Sequence, residues 1–286
     1  DCPVDDTEPA FSPDGKQIAF RSERDGGGVF VMGSQGGPVR RVSDSGYNPA
    51  WSPDGSQIVC GTIGYLRPDL SWGIPTELFV VQIAAIGRPN ARPGVHKSIS
   101  TPSGASFPNW SPHGWRVAYS NPLGIWTALA QGGGDVRVTQ DTSRHWNPVW
   151  SPDGRHIYFS SRRGGAMNIW RVPIDERSGK VKGPPGPVTT PATYAGYLSV
   201  SREGQRMAYV AENWRSNIYR IRFDPIKELV QGQPEAVIDG GSRPVYLPDL
   251  SRDGKWLAFA TRGRQEDICV ARSDGTGVRQ ITNDVY

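Results

Sequence analysis

The sequence predicts an all-β chain, a six-bladed β-propeller of four-stranded antiparallel blades, on three observations. One short pattern occurs six times: PAFSPDGKQIAF (9–20), PAWSPDGSQIVC (49–60), PNWSPHGWRVAY (108–119), PVWSPDGRHIYF (148–159), LSVSREGQRMAY (198–209) and PDLSRDGKWLAF (248–259). Copies that return every few tens of residues and consist of short strands and turns mark one blade each. Each copy is followed by material for further strands, and helix-type periodicity is almost absent.

The first repeat gives the grammar of the others. Pro9 to Ser12 is short and extended, and Pro13-Asp14-Gly15 is a hairpin turn. Proline presets φ, aspartate bonds its own backbone, and glycine accepts positive φ. Ile18-Ala19-Phe20 is a second strand, Arg24-Asp25-Gly26-Gly27 a turn, Val29 to Met32 a third strand, Gly36-Gly37 a turn and Val39 to Val42 a fourth strand. Insertions at Gly61–Pro75, Gly87–Lys97, Pro173–Pro187 and Asp224–Pro234 account for the unequal repeat spacing, since loops vary while strands keep their pattern. Copies five and six replace the Pro-Asp-Gly turn by Arg202-Glu203-Gly204 and Arg252-Asp253-Gly254. One domain over 1–286 follows, with blades beginning near residues 8, 47, 106, 146, 196 and 246. Trp51, Trp110 and Trp150, with Phe11, share one slot of the inner strand and read as blade packing.

Composition narrows the function classes. The net charge is +4, and the basic residues are scattered rather than clustered, which reads as a solvated surface and not as a nucleic-acid interface. No apolar run is long enough to span a membrane. Asp1 in place of a methionine suggests a processed protein or an excised piece, with both ends meeting at a seam between the sixth and first blades. Cys60 and Cys269 read as small buried apolar residues, and no C-x-x-C spacing exists. The chain contains no G-x-S-x-G elbow, no H-E-x-x-H and no P-loop. The repeated Asp14, Asp54, Asp153 and Asp253 are turn residues on separate hairpins, and Asp1, Asp5 and Asp6 read as a solvated terminus. No catalytic residue, metal site or cofactor is therefore expected.

The six strings resemble the TolB-type β-propeller repeat, a WD-like bacterial module with the consensus P-x-W-S-P-D-G-x-x-I-x-F, and the resemblance covers nearly the whole chain. No part corresponds to the small α/β domain that precedes the propeller in TolB. The resemblance implies a non-catalytic binding or scaffold module, monomeric and periplasmic or otherwise extracytoplasmic, that engages a protein partner or a small ligand (a peptide or a sugar) at the mouth of a central channel. It also makes the Pro-x-Trp strand the innermost, so that the residues just before the proline reach that mouth. These are Glu8, Tyr47, Asn48, Phe107, His145, Trp146, Asn147, Tyr197 and Tyr246, with Tyr194 and Arg243 slightly upstream. Aromatic faces beside amide and charged groups suit such ligands; the same rings could instead pack between blades. His145 adds a group that titrates near neutral pH and suggests pH-dependent binding. Two alternatives stay open: a sensor or accessory propeller of a larger kinase, winged-helix regulator or peptidase, and a carbohydrate-active relative of propeller lyases. The lyase reading is disfavoured because only one histidine reaches the mouth.

Overall fold

The structure, a computed structural model, describes residues 5–63, 76–83, 97–99, 104–164, 167–189, 195–211, 216–224, 226–241, 244–261 and 267–282. The chain divides into two compact units, one of residues 1–163, 168–190 and 195–210, the other of 164–167, 191–194 and 211–286.

The first unit holds four four-stranded antiparallel sheets, each filled in sequence order. The first comprises β1 (Asp6–Phe11), β2 (Gln17–Ser22), β3 (Gly28–Gly33) and β4 (Arg40–Ser43). The second comprises β5 (Tyr47–Trp51), β6 (Gln57–Gly61), β7 (Leu78–Gln82) and β8 (Lys97–Ile99). The third comprises β9 (Ser106–Trp110), β10 (Arg116–Asn121), β11 (Gly124–Leu129) and β12 (Val136–Arg137). The fourth comprises β13 (His145–Trp150), β14 (His156–Ser161), β15 (Asn168–Pro173) and β16 (Gly186–Pro187). A two-stranded sheet of β17 (Ala195–Val200) and β18 (Met207–Ala211) completes the unit. The second unit holds a two-stranded sheet of β19 (Asn217–Asp224) and β20 (Leu229–Asp239). It also holds a four-stranded sheet of β21 (Val245–Leu250), β22 (Trp256–Thr261), β23 (Asp267–Arg272) and β24 (Arg279–Gln280). The fifth repeat thus departs from the other five: its strands form two separate pairs, one in each unit.

The turn that defines the repeat works as its residues require. Ser12 Oγ donates to Asp14 Oδ1 at 2.6 Å, and the same bond at the same length joins Ser52 to Asp54, Ser151 to Asp153 and Ser251 to Asp253. Each aspartate also accepts the backbone N–H two residues on, which closes an Asx turn. These bonds hold the four carboxyls below the usual carboxylate range. Neighbouring turns stack, with Gly55 over Pro13, Gly114 over Pro53 and Gly204 over Pro152.

The apolar core lies between sheets. Ala19, Val29 and Val31 of the first sheet pack with Trp51, Ile58 and Phe79 of the second. Val59, Leu78 and Val80 of the second meet Trp110, Val117 and Tyr119 of the third. Ala118 and Ile125 of the third meet Trp150, Ile157 and Phe159 of the fourth. The tryptophan slot is buried at Trp51, Trp110 and Trp150, as expected. Phe11, in the same slot, is 66% exposed, which corrects that part of the expectation. The reason lies in the unit: Trp51 covers the preceding strand and donates Nε1–H to Ala10 O at 3.1 Å, whereas β1 has no preceding sheet in its unit to cover.

Candidate functional site

The start of each inner strand carries a backbone feature that the sequence rules do not announce. Glu8, Asn48, Phe107, Asn147, Tyr197 and Leu247 all have φ between 50° and 57°. Five of the six precede a proline, and each of those five pairs forms a β-bulge. Glu8-Pro9 opposes Phe20, Asn48-Pro49 opposes Cys60, Phe107-Pro108 opposes Tyr119, Asn147-Pro148 opposes Phe159 and Leu247-Pro248 opposes Phe259. Proline has no N–H to lose in the unpaired position. The left-handed conformation costs roughly 1–2 kcal/mol for a residue other than glycine or asparagine. Its recurrence in every repeat shows that the fold imposes it. The bulge turns these side chains out of the alternation of the strand.

In the first unit the re-aimed side chains link one sheet to the next. Glu8 Oε2 accepts the backbone N–H of Asn48 at 2.5 Å, and Asn147 Oδ1 accepts that of Leu198 at 2.8 Å. Asn109 Oδ1 accepts the N–H of Trp150 at 2.9 Å. Phe107, Trp146 and Tyr197 form an edge-to-face row, with ring centres 5.1 and 4.9 Å apart at interplanar angles of 79° and 86°. Asn48 Oδ1 is buried and has no hydrogen-bond partner. Its counterpart Asn147 finds Leu198 N–H one sheet on; by repeat position Leu198 corresponds to Pro108, which has no N–H.

The expected mouth residues therefore divide by burial. Phe107, His145 and Trp146 are buried, Trp146 to 1% exposure. Glu8, Tyr47, Asn48 and Asn147 are half-buried, and Tyr197 is exposed. Tyr246 stands at the matching place on β21, in the second unit, and is half-buried. Tyr194 and Arg243 lie outside the described residues. Burial pushes the Glu8 carboxyl up from its ordinary value, against the Asn48 N–H and the nearby Arg21.

Two participants escaped the sequence reading. Arg21, buried at the end of β2, lies 4.6 Å from the centre of the Tyr47 ring and pairs with Glu23 at 2.6 Å. Its signal was available in the hairpin register, because the end of β2 lies opposite the start of β1. The second is Asp141. It pairs with Arg163, and its Oδ1 lies 3.0 Å from His145 Nε2, while His145 Nδ1 lies 2.9 Å from Ser161 Oγ. Burial opposes the charge on Asp141, but Ser143, Arg163 and His145 hold its carboxyl well below the usual range. Burial lowers the His145 pKa, with Asp141 pulling the other way. This Ser-His-Asp row resembles a nucleophile relay in composition only. Ser161 is fully buried and already accepts the Arg163 N–H at 3.0 Å, so its hydroxyl is not presented to a substrate. Among the described residues no group of three or more His, Cys, Asp or Glu could hold a metal ion, and no helix is long and apolar enough to cross a membrane. Cys60 and Cys269 are buried, as read from the sequence, and burial raises the pKa of Cys60.

Comparison with known proteins bears on the fold. TolB from Acinetobacter baumannii superposes on 93% of this chain and 60% of its own, with a TM-score of 0.51 at 19% identity. The chain has a TolB-like β-propeller fold. By sequence it is 25% identical over 263 residues to the uncharacterized protein Atu1656 of Agrobacterium fabrum, covering 88% of this chain and 83% of that one. It is 26% identical over 160 residues to the uncharacterized peptidase YuxL of Bacillus subtilis, of which it spans 22%. No family model matches the chain.

Proposed function

We propose that this chain is a six-bladed propeller, one blade per repeat, that acts by binding rather than catalysis, and that the starts of its inner strands take a protein partner or a small ligand. The observation that carries this reading is the left-handed residue repeated at that place. Its backbone is common to all repeats, while its side chain differs: Glu8, Asn48, Phe107, Asn147, Tyr197 and Leu247. A constant scaffold with a variable side chain at one place in each repeat is what recognition needs. The half-buried Glu8, Tyr47 and Asn48 and the exposed Tyr197 are the groups we assign to contact; Phe107 and Trp146 support them by packing. A partner met in this way suits a location outside the cytoplasm, which cell fractionation would check.

The test is a pair of substitutions, Tyr47→Ala with Tyr197→Ala, compared with wild type in affinity capture and in thermal unfolding. Loss of a specific partner with the melting temperature held within a few degrees supports the reading. Retention of the partner refutes it. The likeness to YuxL is also consistent with a second reading, the propeller of a larger peptidase, which a catalytic segment continuous with this chain in the full reading frame would support.

A further inference from the structure

A second site lies at the opposite ends of the inner strands, between the turns of the second and third sheets. A cavity of about 400 Å³ opens there, and its lining among the described residues includes Asp54, Gln57, Gln82, Lys97, His113 and Gly114.

One repeat further on, the chain fills the same position itself. Glu176, in the connection between β15 and β16, is 7% exposed. Its carboxylate accepts the backbone N–H of His113 at 3.0 Å and lies 2.7 Å from His113 Nδ1. It also lies over Gly154, where an added Cβ would collide with Oε2. Arg177 follows, with its guanidinium 4.1 Å from the centre of the Trp115 ring, and Gly179 packs against Arg116 and Thr127. A short peptide segment is therefore seated between two turns, with its acidic side chain reaching over a glycine to the turn residue of the preceding sheet.

By repeat position Gly114 corresponds to Gly154, and Asp54 to His113. The third sheet has no segment like 174–179. Its connection, residues 130–135, is a tight glycine turn closed by Gly132 N–H donating to Leu129 O at 2.8 Å. The receiving group also differs: a carboxylate, Asp54, stands where the third sheet has the His113 imidazole. Asp54 is an exposed carboxylate, fixed by Ser52 Oγ at 2.6 Å, Ser56 N–H at 3.1 Å and Ser56 Oγ at 2.8 Å. We infer that the groove between the second and third sheets binds an extended peptide segment that presents a lysine or arginine side chain to the Asp54 carboxylate across Gly114, in the place that Glu176 takes on His113 over Gly154. Gln57, Gln82 and Lys97 supply donors for the carbonyl groups of such a segment.

The test uses the whole chain, isotope-labelled, and two blocked pentapeptides copying residues 174–178: one unchanged, one with lysine in the place of Glu176. The lysine peptide is expected to shift the amide resonances of Asp54 and Gly114 and to bind about tenfold more tightly than the glutamate peptide, an electrostatic preference of ordinary size. Asp54→Asn keeps the acceptor that the turn needs and should abolish the preference. Asp54→His recreates the His113 environment and should reverse it. The inference fails if neither peptide shifts those amides, if both bind alike, or if Asp54→His leaves the preference unchanged. It also fails if the same amides shift with protein concentration alone, which would assign the groove to a second copy. Because Tyr47 and Tyr197 are not involved, these outcomes are independent of the inner-strand site.

Discussion

The interface between the third and fourth sheets and the one between the second and third are built from the same repeat, yet among the described residues only the former has its turn end filled by a side chain from a strand connection. At the turn end Glu176 fills the space between Gly154 and His113, while the matching space between Gly114 and Asp54 is a cavity. At the other end the Phe107 and Trp146 rings meet between the third and fourth sheets, while Asn48 on the second sheet keeps a buried oxygen without a hydrogen-bond partner. The repeat fixes strands, turns and bulges, and leaves each interface to be completed by a few side chains outside it. Where the described residues supply them, the result is packing; where they do not, as at Asn48 Oδ1, a polar atom is left without a partner.

The largest expected effect is at the interface between the third and fourth sheets. Trp150→Ala should cost about 3–5 kcal/mol in a denaturant titration, the range for truncating a buried large aromatic, and Trp146→Ala the same. Phe11→Ala, in the Trp150 slot but exposed, should change stability by no more than about 0.5 kcal/mol. A small cost at Trp146 would mean that its ring is open to solvent and belongs to the contact surface. Next in size, Glu176→Ala should cost about 1–3 kcal/mol, because it leaves the His113 N–H without its acceptor. The asparagine pair sharpens the comparison further. Asn147→Gly should cost about 1 kcal/mol through the lost Leu198 bond, whereas Asn48→Gly, with no bond to lose at Oδ1 and a left-handed backbone that glycine accepts, should be neutral to within about 0.5 kcal/mol.

The smallest effect is a dependence on pH with two opposed slopes. His145 has a folded pKa below its usual 6.5, so its contribution to stability is full above that value and is lost as pH falls through the folded pKa. Glu8 has a folded pKa above its usual 4.5, so its contribution is full below that value and is lost as pH rises through the folded pKa. Melting temperatures of His145→Gln should therefore fall less steeply than wild type on acidification from neutrality. Those of Glu8→Gln should show less loss as pH rises above 4.5. Parallel curves for wild type and both variants would contradict the assignments.

Much of this was legible in the residues. Ser-Pro-Asp-Gly specifies its turn by local chemistry, so the sheets, their order and the buried Trp51, Trp110 and Trp150 follow from the repeat. The left-handed residues did not, because steric rules push a residue before proline toward extended backbone, and only pairing with β2, β6, β10, β14 and β22 imposes the bulge. His145 looked like a titrating mouth residue; its burial depends on Asp141 and Ser161, which the sequence does not single out. The fifth repeat, whose turn is Arg202-Glu203-Gly204, keeps Ser201 Oγ accepting the Arg206 N–H at 3.1 Å. Its strands nonetheless separate into β17–β18 and β19–β20, which the pattern of that copy did not foretell.

The central claim, that the starts of the inner strands are where this propeller meets its partner, is tested most directly by site-specific photo-crosslinking in the producing cell. The photoreactive residue is placed at Tyr47, at Tyr197 or, for comparison, at Arg155 on the turn of the fourth sheet. The account predicts one discrete adduct common to Tyr47 and Tyr197 and absent from Arg155. Adducts from Arg155 alone, or none from either tyrosine position, would contradict it.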